Sequence, residues 1–145
     1  MRILLAIDDS RFSQAAIETV IEQARPQDTD VRILHVVESP PLLVAREMGG
    51  YDPALETALE SQKQDAEALV LKATELLRAR GLKVAATVEV GDPKSKILDV
   101  AEEWRADLIV VGSHGRQGFE RFLMGSVSDA VARHAKCSVQ IVRIR

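Results

Sequence analysis

The chain is poor in the residues that would commit it to several common architectures. It has one cysteine, Cys137, so no internal disulfide can form, and no Cys/His cluster has the spacing of a zinc site, so no metal centre is expected. Aromatic residues make up 3% of the sequence, which leaves few rings on which single-stranded bases could stack. Neither sign of charge dominates. The 19 Lys+Arg and 22 Asp+Glu leave a formal net charge of -3, and no basic field would draw the protein along a nucleic-acid backbone. An anionic ligand would therefore need a local device. No apolar run approaches the roughly 20 residues of a membrane span. The opening MRILLAIDDS is too short in its apolar run for a signal peptide and lacks a small-residue cleavage site. Nucleic acid and membrane partners are thus not expected, and the expected location is cytoplasmic.

What the chain does have is ordinary globular material, with 46% hydrophobic and 28% charged residues. Its 145 residues fit one domain, 1–145, which at this size removes roughly two-thirds of the unfolded surface from water. The apolar pattern switches repeatedly between two periods. Ile3 to Ile7 is a continuous run that ends at Asp8, Asp9 and Ser10, polar side chains suited to capping a following helix. Ala16, Ile17, Val20, Ile21 and Ala24 then recur at helical spacing until Arg25 and Pro26. Val31 to Val37 predicts a second strand. Between Glu38 and Pro53, Pro40, Pro41, Gly49 and Gly50 predict a long loop, either a lid or a disordered surface segment. From Ala54, apolar positions through Leu76 and Leu77 mark a long amphipathic helix closed by Arg78, Arg80 and Gly81.

Val84 to Val90 alternates apolar and polar residues, and Asp92-Pro93 predicts the start of a helix with Ile97, Leu98, Ala101 and Trp104 inward. Leu108 to Val111 is apolar throughout and ends at Gly112. A glycine-bearing segment leads into a helix whose inner face is expected to carry Val127, Ala130, Val131 and His134, and Ser138 to Ile144 predicts the last strand. Alternating strands and helices imply an α/β fold with a five-stranded parallel sheet between two helical layers. The first and fourth strands are apolar on both faces, as interior strands should be, whereas the third and fifth carry polar residues at every second position, as edge strands can. That contrast selects the strand order 3-2-1-4-5 over 2-1-3-4-5. It places the crevice for a ligand at the carboxyl ends of strands one and four, where Asp8 to Ser10 meets Gly112 to Ser126.

Four of the eight glycines, Gly112, Gly115, Gly118 and Gly125, lie in that one segment. Glycine lets backbone approach a ligand closely, and a helix starting at Gly125-Ser126 adds unpaired N–H groups and its dipole. Ser126 and Ser128 offer hydroxyls, and Arg116 has the fork that pairs with phosphate. The Walker A spacing and the G-x-G turn of the dinucleotide fingerprint are both absent. The alternative is a glycine turn that only packs.

The spacing Gly112, Gly115, then nine residues to Gly125-Ser126, resembles the G-2x-G-9x-G-(S/T) signature of the ATP-binding branch of the universal stress proteins. The likeness extends over the whole chain, including IDDSRFSQAA, His35-Val36 and Val90-Gly91-Asp92-Pro93. It implies a Rossmann-like three-layer domain that binds ATP, with Mg²⁺ or Mn²⁺ bridging the phosphates, and that forms a homodimer through the last strand, Ser138 to Ile144. Carried over residue by residue, it implies Asp8 on the ribose and Val36 against the adenine. Gly112, Ser113, His114, Gly115, Arg116 and Gly118 would surround phosphates and ribose, with Gly125, Ser126, Val127 and Ser128 on the phosphates. Relatives often carry Pro two residues before that Asp; Ala6 stands here and alters the wall beside the adenine.

The remaining candidates each have a plain structural reading beside a chemical one. His114 either assists a phosphate or shapes the loop, and no partnered nucleophile is evident. His35 fits a satisfied core histidine, His134 a helix-end charge, and Cys137 a packed thiol. Asp8-Asp9 also matches the acidic pair of a phosphorylation receiver, but the first candidate for the acceptor Asp that such a domain needs soon afterward, Asp92, lies more than eighty residues on and in a helix-capping context. Three functional classes stay open: a nucleotide-dependent stress-response module with slow or no hydrolysis, a nucleotide-independent dimeric interaction module, and a weak ATPase or autophosphorylating protein.

Overall fold

Each apolar run and its polar punctuation becomes one element of the computed structural model, which describes residues 1–38, 49, 53–115 and 124–144. The order is β1 (Arg2–Ala6), α1 (Arg11–Gln23), β2 (Asp30–Glu38), α2 (Pro53–Arg78), β3 (Lys83–Gly91), α3 (Pro93–Trp104), β4 (Leu108–Gly112), α4 (Ser126–His134) and β5 (Ser138–Val142). Helix starts follow side-chain chemistry. Ser10 caps α1 by accepting the Ser13 N–H, and Asp92 caps α3 by accepting the Ser95 N–H, with Pro93 in the first turn. After α2, Gly81 takes the left-handed conformation expected of a helix-ending glycine, φ 81°.

The five strands form one parallel sheet in the order β3-β2-β1-β4-β5. In register, Ile3 of β1 lies between Val31 of β2 and Leu108 of β4. Alternation along the strands sends side chains to two separate cores. On one face Leu5, Ile33 and Val110 pack with Ala16 and Val20 of α1 and Ala73 and Leu77 of α2. On the other, Leu4, Leu34 and Ile109 pack with Ile97 and Ala101 of α3 and Val131 of α4. Because the helices following β1 and β4 go to opposite faces, their first turns flank a gap above the carboxyl ends of these two neighbouring strands.

Two expectations need correction. α4 turns Ser128 and Val131 inward, with Val127 packed against the same core, but leaves His134 exposed, so the predicted Val127-Ala130-Val131-His134 stripe stops short of His134. The last strand ends at Val142, with Arg143 and Ile144 exposed beyond it. The predicted loop from Glu38 to Pro53 lies outside the described residues except for Glu38, Gly49 and Pro53 themselves. No helix among the described residues is long and apolar enough to cross a membrane.

At the amino ends of the strands, long side chains close the fold. The Arg2 guanidinium donates to the Trp104 carbonyl at 2.7 Å, and the Arg2 N–H donates to Asp107 Oδ2 at 2.7 Å. Arg32 lies 4.8 Å from the Trp104 ring centre on β2's side, and Arg2 lies 5.8 Å from it.

Candidate functional site

The turn after β1 is built around one carboxylate. The Ile7 N–H extends the ladder to the Leu34 carbonyl at 2.9 Å, and the chain then turns at Asp8. Asp8 Oδ1 accepts from the Ser10 N–H at 2.9 Å and from the Ser13 hydroxyl at 2.9 Å. The Ser13 hydroxyl oxygen in turn accepts the Asp8 N–H at 2.8 Å. Ser10, not Asp8, caps the helix, so the carboxylate is held in place by α1 without being consumed as its cap. Beneath it, His35 Nδ1 lies 2.6 Å from the Ile7 carbonyl. A carbonyl only accepts, so Nδ1 carries the proton. His35 is thus a half-buried brace of the turn, and Asp9 beside Asp8 is exposed.

Each glycine of the second loop answers to a different neighbour. A Cβ on Gly112 would sit 2.8 Å from the Phe12 carbonyl carbon and Cβ, so this glycine is required by the close approach of α1. At Gly115 the nearest atom would be Asp8 Oδ2, 3.1 Å away, which brings the two loops face to face. At Gly125 it would be the His114 Cα, at 3.2 Å, followed by the Ser113 carbonyl oxygen at 3.4 Å. Gly125 therefore packs directly on the start of its own loop, and its N–H donates to the Ser113 carbonyl at 2.6 Å. Arg116 and Gly118 lie outside the described residues.

Ser113 is the hub of this closure, 2% exposed. Its N–H donates to the Val142 carbonyl at 2.8 Å, its hydroxyl lies 3.1 Å from His114 Nδ1, and its carbonyl also accepts the Ser128 hydroxyl at 2.8 Å. His114 is buried and its ring centre lies 5.0 Å from that of Phe12, so the histidine shapes the base of the loop. Ser126 is exposed and Val127 half-buried, whereas Ser128 is 2% exposed.

The two helix starts differ in a way that matters for an anion. α1 is capped by the Ser10 side chain, but α4 begins at Gly125 with no side-chain cap. The first intrahelical bond of α4 runs from the Asp129 N–H to the Gly125 carbonyl at 3.0 Å, so the N–H groups of Ser126, Val127 and Ser128 have no partner within the helix. Those donors and the positive end of the helix dipole lie at the turn where Gly125 packs beside Gly115. Below the mouth, Ala6, Leu34, Val36 and Val111 form one apolar wall on the α3/α4 face. No group of three or more His, Cys, Asp or Glu among the described residues is arranged to hold a metal ion.

Residues 1–143 match the universal stress protein family. The chain belongs to that family. A chain named as a universal stress protein in Staphylococcus aureus (strain USA300) is 35% identical over 143 residues, which cover 97% of this chain and 82% of the relative. Among solved structures, the universal stress protein UspA from Lactobacillus plantarum superimposes with a TM-score of 0.84 at 26% identity, over 99% of this chain and 97% of that one. A universal stress protein family protein from Arabidopsis thaliana, solved with AMP bound, shares the fold with a TM-score of 0.73 at 22% identity, over 100% of this chain and 92% of its own. A universal stress protein solved in complex with cAMP does so with a TM-score of 0.70 at 24% identity, over 99% of this chain and 96% of its own.

Within this universal stress fold, His35 is the satisfied histidine that the sequence suggested, bonded to the Ile7 carbonyl. Ser13, one turn after the capping serine, braces Asp8. Phe12 escaped the reading of the sequence, because its contacts with Gly112 and His114 join residues far apart in the chain.

Proposed function

We propose that this universal stress protein binds an adenine nucleotide, ATP in its working form, at the crevice between β1 and β4 and acts as a nucleotide-dependent stress-response module. The observation that carries the reading is the uncapped start of α4 at Gly125, packed beside Gly115, which in turn lies against Asp8. Backbone donors there would hold phosphate oxygens, joined by the Ser126 hydroxyl and by Arg116 and Gly118 of the same loop. Asp8, held in its turn by Ser10 and Ser13, would lie beside the ribose hydroxyls, and Ala6 and Val36 would wall the adenine. AMP and cAMP in the two structures of the same fold support the ligand class.

A divalent ion would enter with the phosphates and take few protein ligands, as Mg²⁺ often does. Hydrolysis is at most slow in this reading, because attack by water needs an oriented base, and Asp8, already bonded within its own turn, would be occupied with the sugar. Titration calorimetry with ATP and Mg²⁺ tests the proposal: binding is expected, and absence of heat or thermal shift at millimolar ATP overturns it. Gly115→Val, which would press on the Asp8 carboxylate, should weaken ATP by about a hundredfold, ~2.7 kcal/mol, while the fold persists.

The same reading makes the protein a cytoplasmic homodimer. β5 is a sheet edge with half-buried Val139 and Ile141 on its faces, and pairing with a second copy would satisfy its open backbone groups. A monomer by light scattering at micromolar concentration would remove that part alone.

A further inference from the structure

Two serines stand two residues apart at the start of α4, and the structure gives them opposite surroundings. Ser126 is exposed at the mouth, and its side chain has no hydrogen bond among the described residues. Ser128 is buried, and its hydroxyl donates to the Ser113 carbonyl at 2.8 Å, with the Gly125 carbonyl a second acceptor at 3.1 Å. A hydroxyl has one proton. With that proton directed at Ser113 and Gly125, the Ser128 side chain has no donor left for a ligand.

The Ser113 carbonyl offers two lone pairs, and both are used: one by the Ser128 hydroxyl, the other by the Gly125 N–H at 2.6 Å. The two ends of the glycine loop are thereby pinned to each other and to the first turn of α4 through a single atom. The packing leaves little slack, because Gly125 already sits against the His114 Cα and the Ser113 carbonyl so closely that a Cβ would meet them at 3.2 and 3.4 Å.

We infer that Ser128 is a positioning residue, which acts through the Ser113 carbonyl to hold the uncapped N–H groups of α4 and the start of the glycine loop in one fixed geometry, whereas Ser126 is the serine that meets the ligand. The inference rests on the nucleotide-binding reading for its consequence, but not for its geometry. It divides the serines by what each should change. Ser126 supplies a donor near the phosphates, so its loss should depend on how many phosphates the ligand carries. Ser128 sets the loop as a whole, so its loss should weaken every nucleotide alike.

The experiment combines amide hydrogen exchange on the nucleotide-free protein with titrations of AMP and of ATP plus Mg²⁺. Ser128→Ala should speed exchange of the Gly125 amide while amides in β2, such as Ile33 and Leu34, keep their protection. It should also weaken AMP and ATP by similar factors, about tenfold, the scale of one lost buried hydrogen bond. Ser128→Thr, which keeps the hydroxyl, should restore both. Ser126→Ala should leave Gly125 exchange unchanged and weaken ATP more than AMP. Unchanged Gly125 exchange in Ser128→Ala overturns the inference whatever the titrations show. So does a loss confined to ATP in that variant, which would make Ser128 a direct ligand. If the wild-type protein binds neither nucleotide, the proposed function fails, and the Gly125 exchange in Ser128→Ala still decides whether this serine holds the loop.

Discussion

The two ends of the sheet are closed by different chemistry. At the amino ends of the strands the closure is made by side chains: Arg2 and Arg32 on Trp104, the Asp107 carboxylate accepting the Arg2 N–H, and Lys136 paired with Glu102 at 2.7 Å. At the carboxyl ends it is made by main chain, glycine and serine, with carbonyl and N–H groups meeting directly around Ser113. Side chains there cover helix carboxyl ends, as Arg2 does at the Trp104 carbonyl. At the carboxyl ends of the strands, small residues leave the first N–H groups of the uncapped α4 without a partner within the helix. An open pocket of about 180 Å³ does occur at the amino end, lined among others by Leu98, Arg105, His134 and Cys137. It lacks converging backbone donors, because the helices there present their carboxyl ends.

The sharpest way to break this contrast is to add one carbon at Gly112. Gly112→Ala puts a Cβ within 2.8 Å of Phe12 backbone, and we expect a loss of about 3 kcal/mol in chemical unfolding, a cost of overpacking at backbone. The carboxyl end would then prove to be as tightly packed below its mouth as any core. Next in size is Trp104→Ala at the other end. Removing a half-buried indole held between two guanidinium groups should lower stability by about 2 kcal/mol, with nucleotide affinity unchanged. A parallel loss of affinity would mean that the two ends are coupled.

Lys136→Ala should do far less. Its partner Glu102 and the ammonium are both mostly exposed, at 61% and 78%, so the change in stability should stay within about 0.5 kcal/mol.

Cys137 gives the smallest effect near neutrality. Burial pushes its thiol above the ordinary value, opposed by its own backbone hydrogen bond, and Asp107 raises it further. The thiol should therefore alkylate more slowly at pH 7 than in the unfolded chain. A thiol whose value is raised on folding contributes stability that is fully present below its unfolded value and is lost as pH rises through the folded one. Unfolding of Cys137→Ser compared with the parent above pH 9 reads that loss, and the parent should show the steeper alkaline decline.

Most of the architecture was legible because local chemistry and tertiary position agree. Ser10 and Asp92 announce helix starts and cap them; the polar alternation of Val84 to Val90 and of Ser138 to Val142 marks the sheet edges, and both strands lie there. The position of the crevice followed from that order. The separate duties of the glycines were not legible. All of them read as candidates for close approach to a ligand, yet the neighbour that requires Gly112 is Phe12, remote in sequence and brought near only by the sheet. His134 failed for a different reason. It lies in the last turn of the nine-residue α4, beyond the inward-packed Val127 and Val131, and is exposed there, as suits a helix-end histidine.

The strand order also has a consequence in time. β1 is the first strand made and lies at the centre of the sheet, with Ile3 paired on one side to Val31 and on the other to Leu108. Its neighbour β2 joins it through the connection that carries α1, and β3 pairs with β2 after the longer one that carries α2, whereas the seam with β4 joins segments roughly a hundred residues apart. The Ser113 N–H finds its acceptor later still, on Val142. The crevice is therefore shared between the two halves of the chain, Asp8 coming from the first and Gly112, Gly115 and Gly125 from the second, so neither half carries it alone.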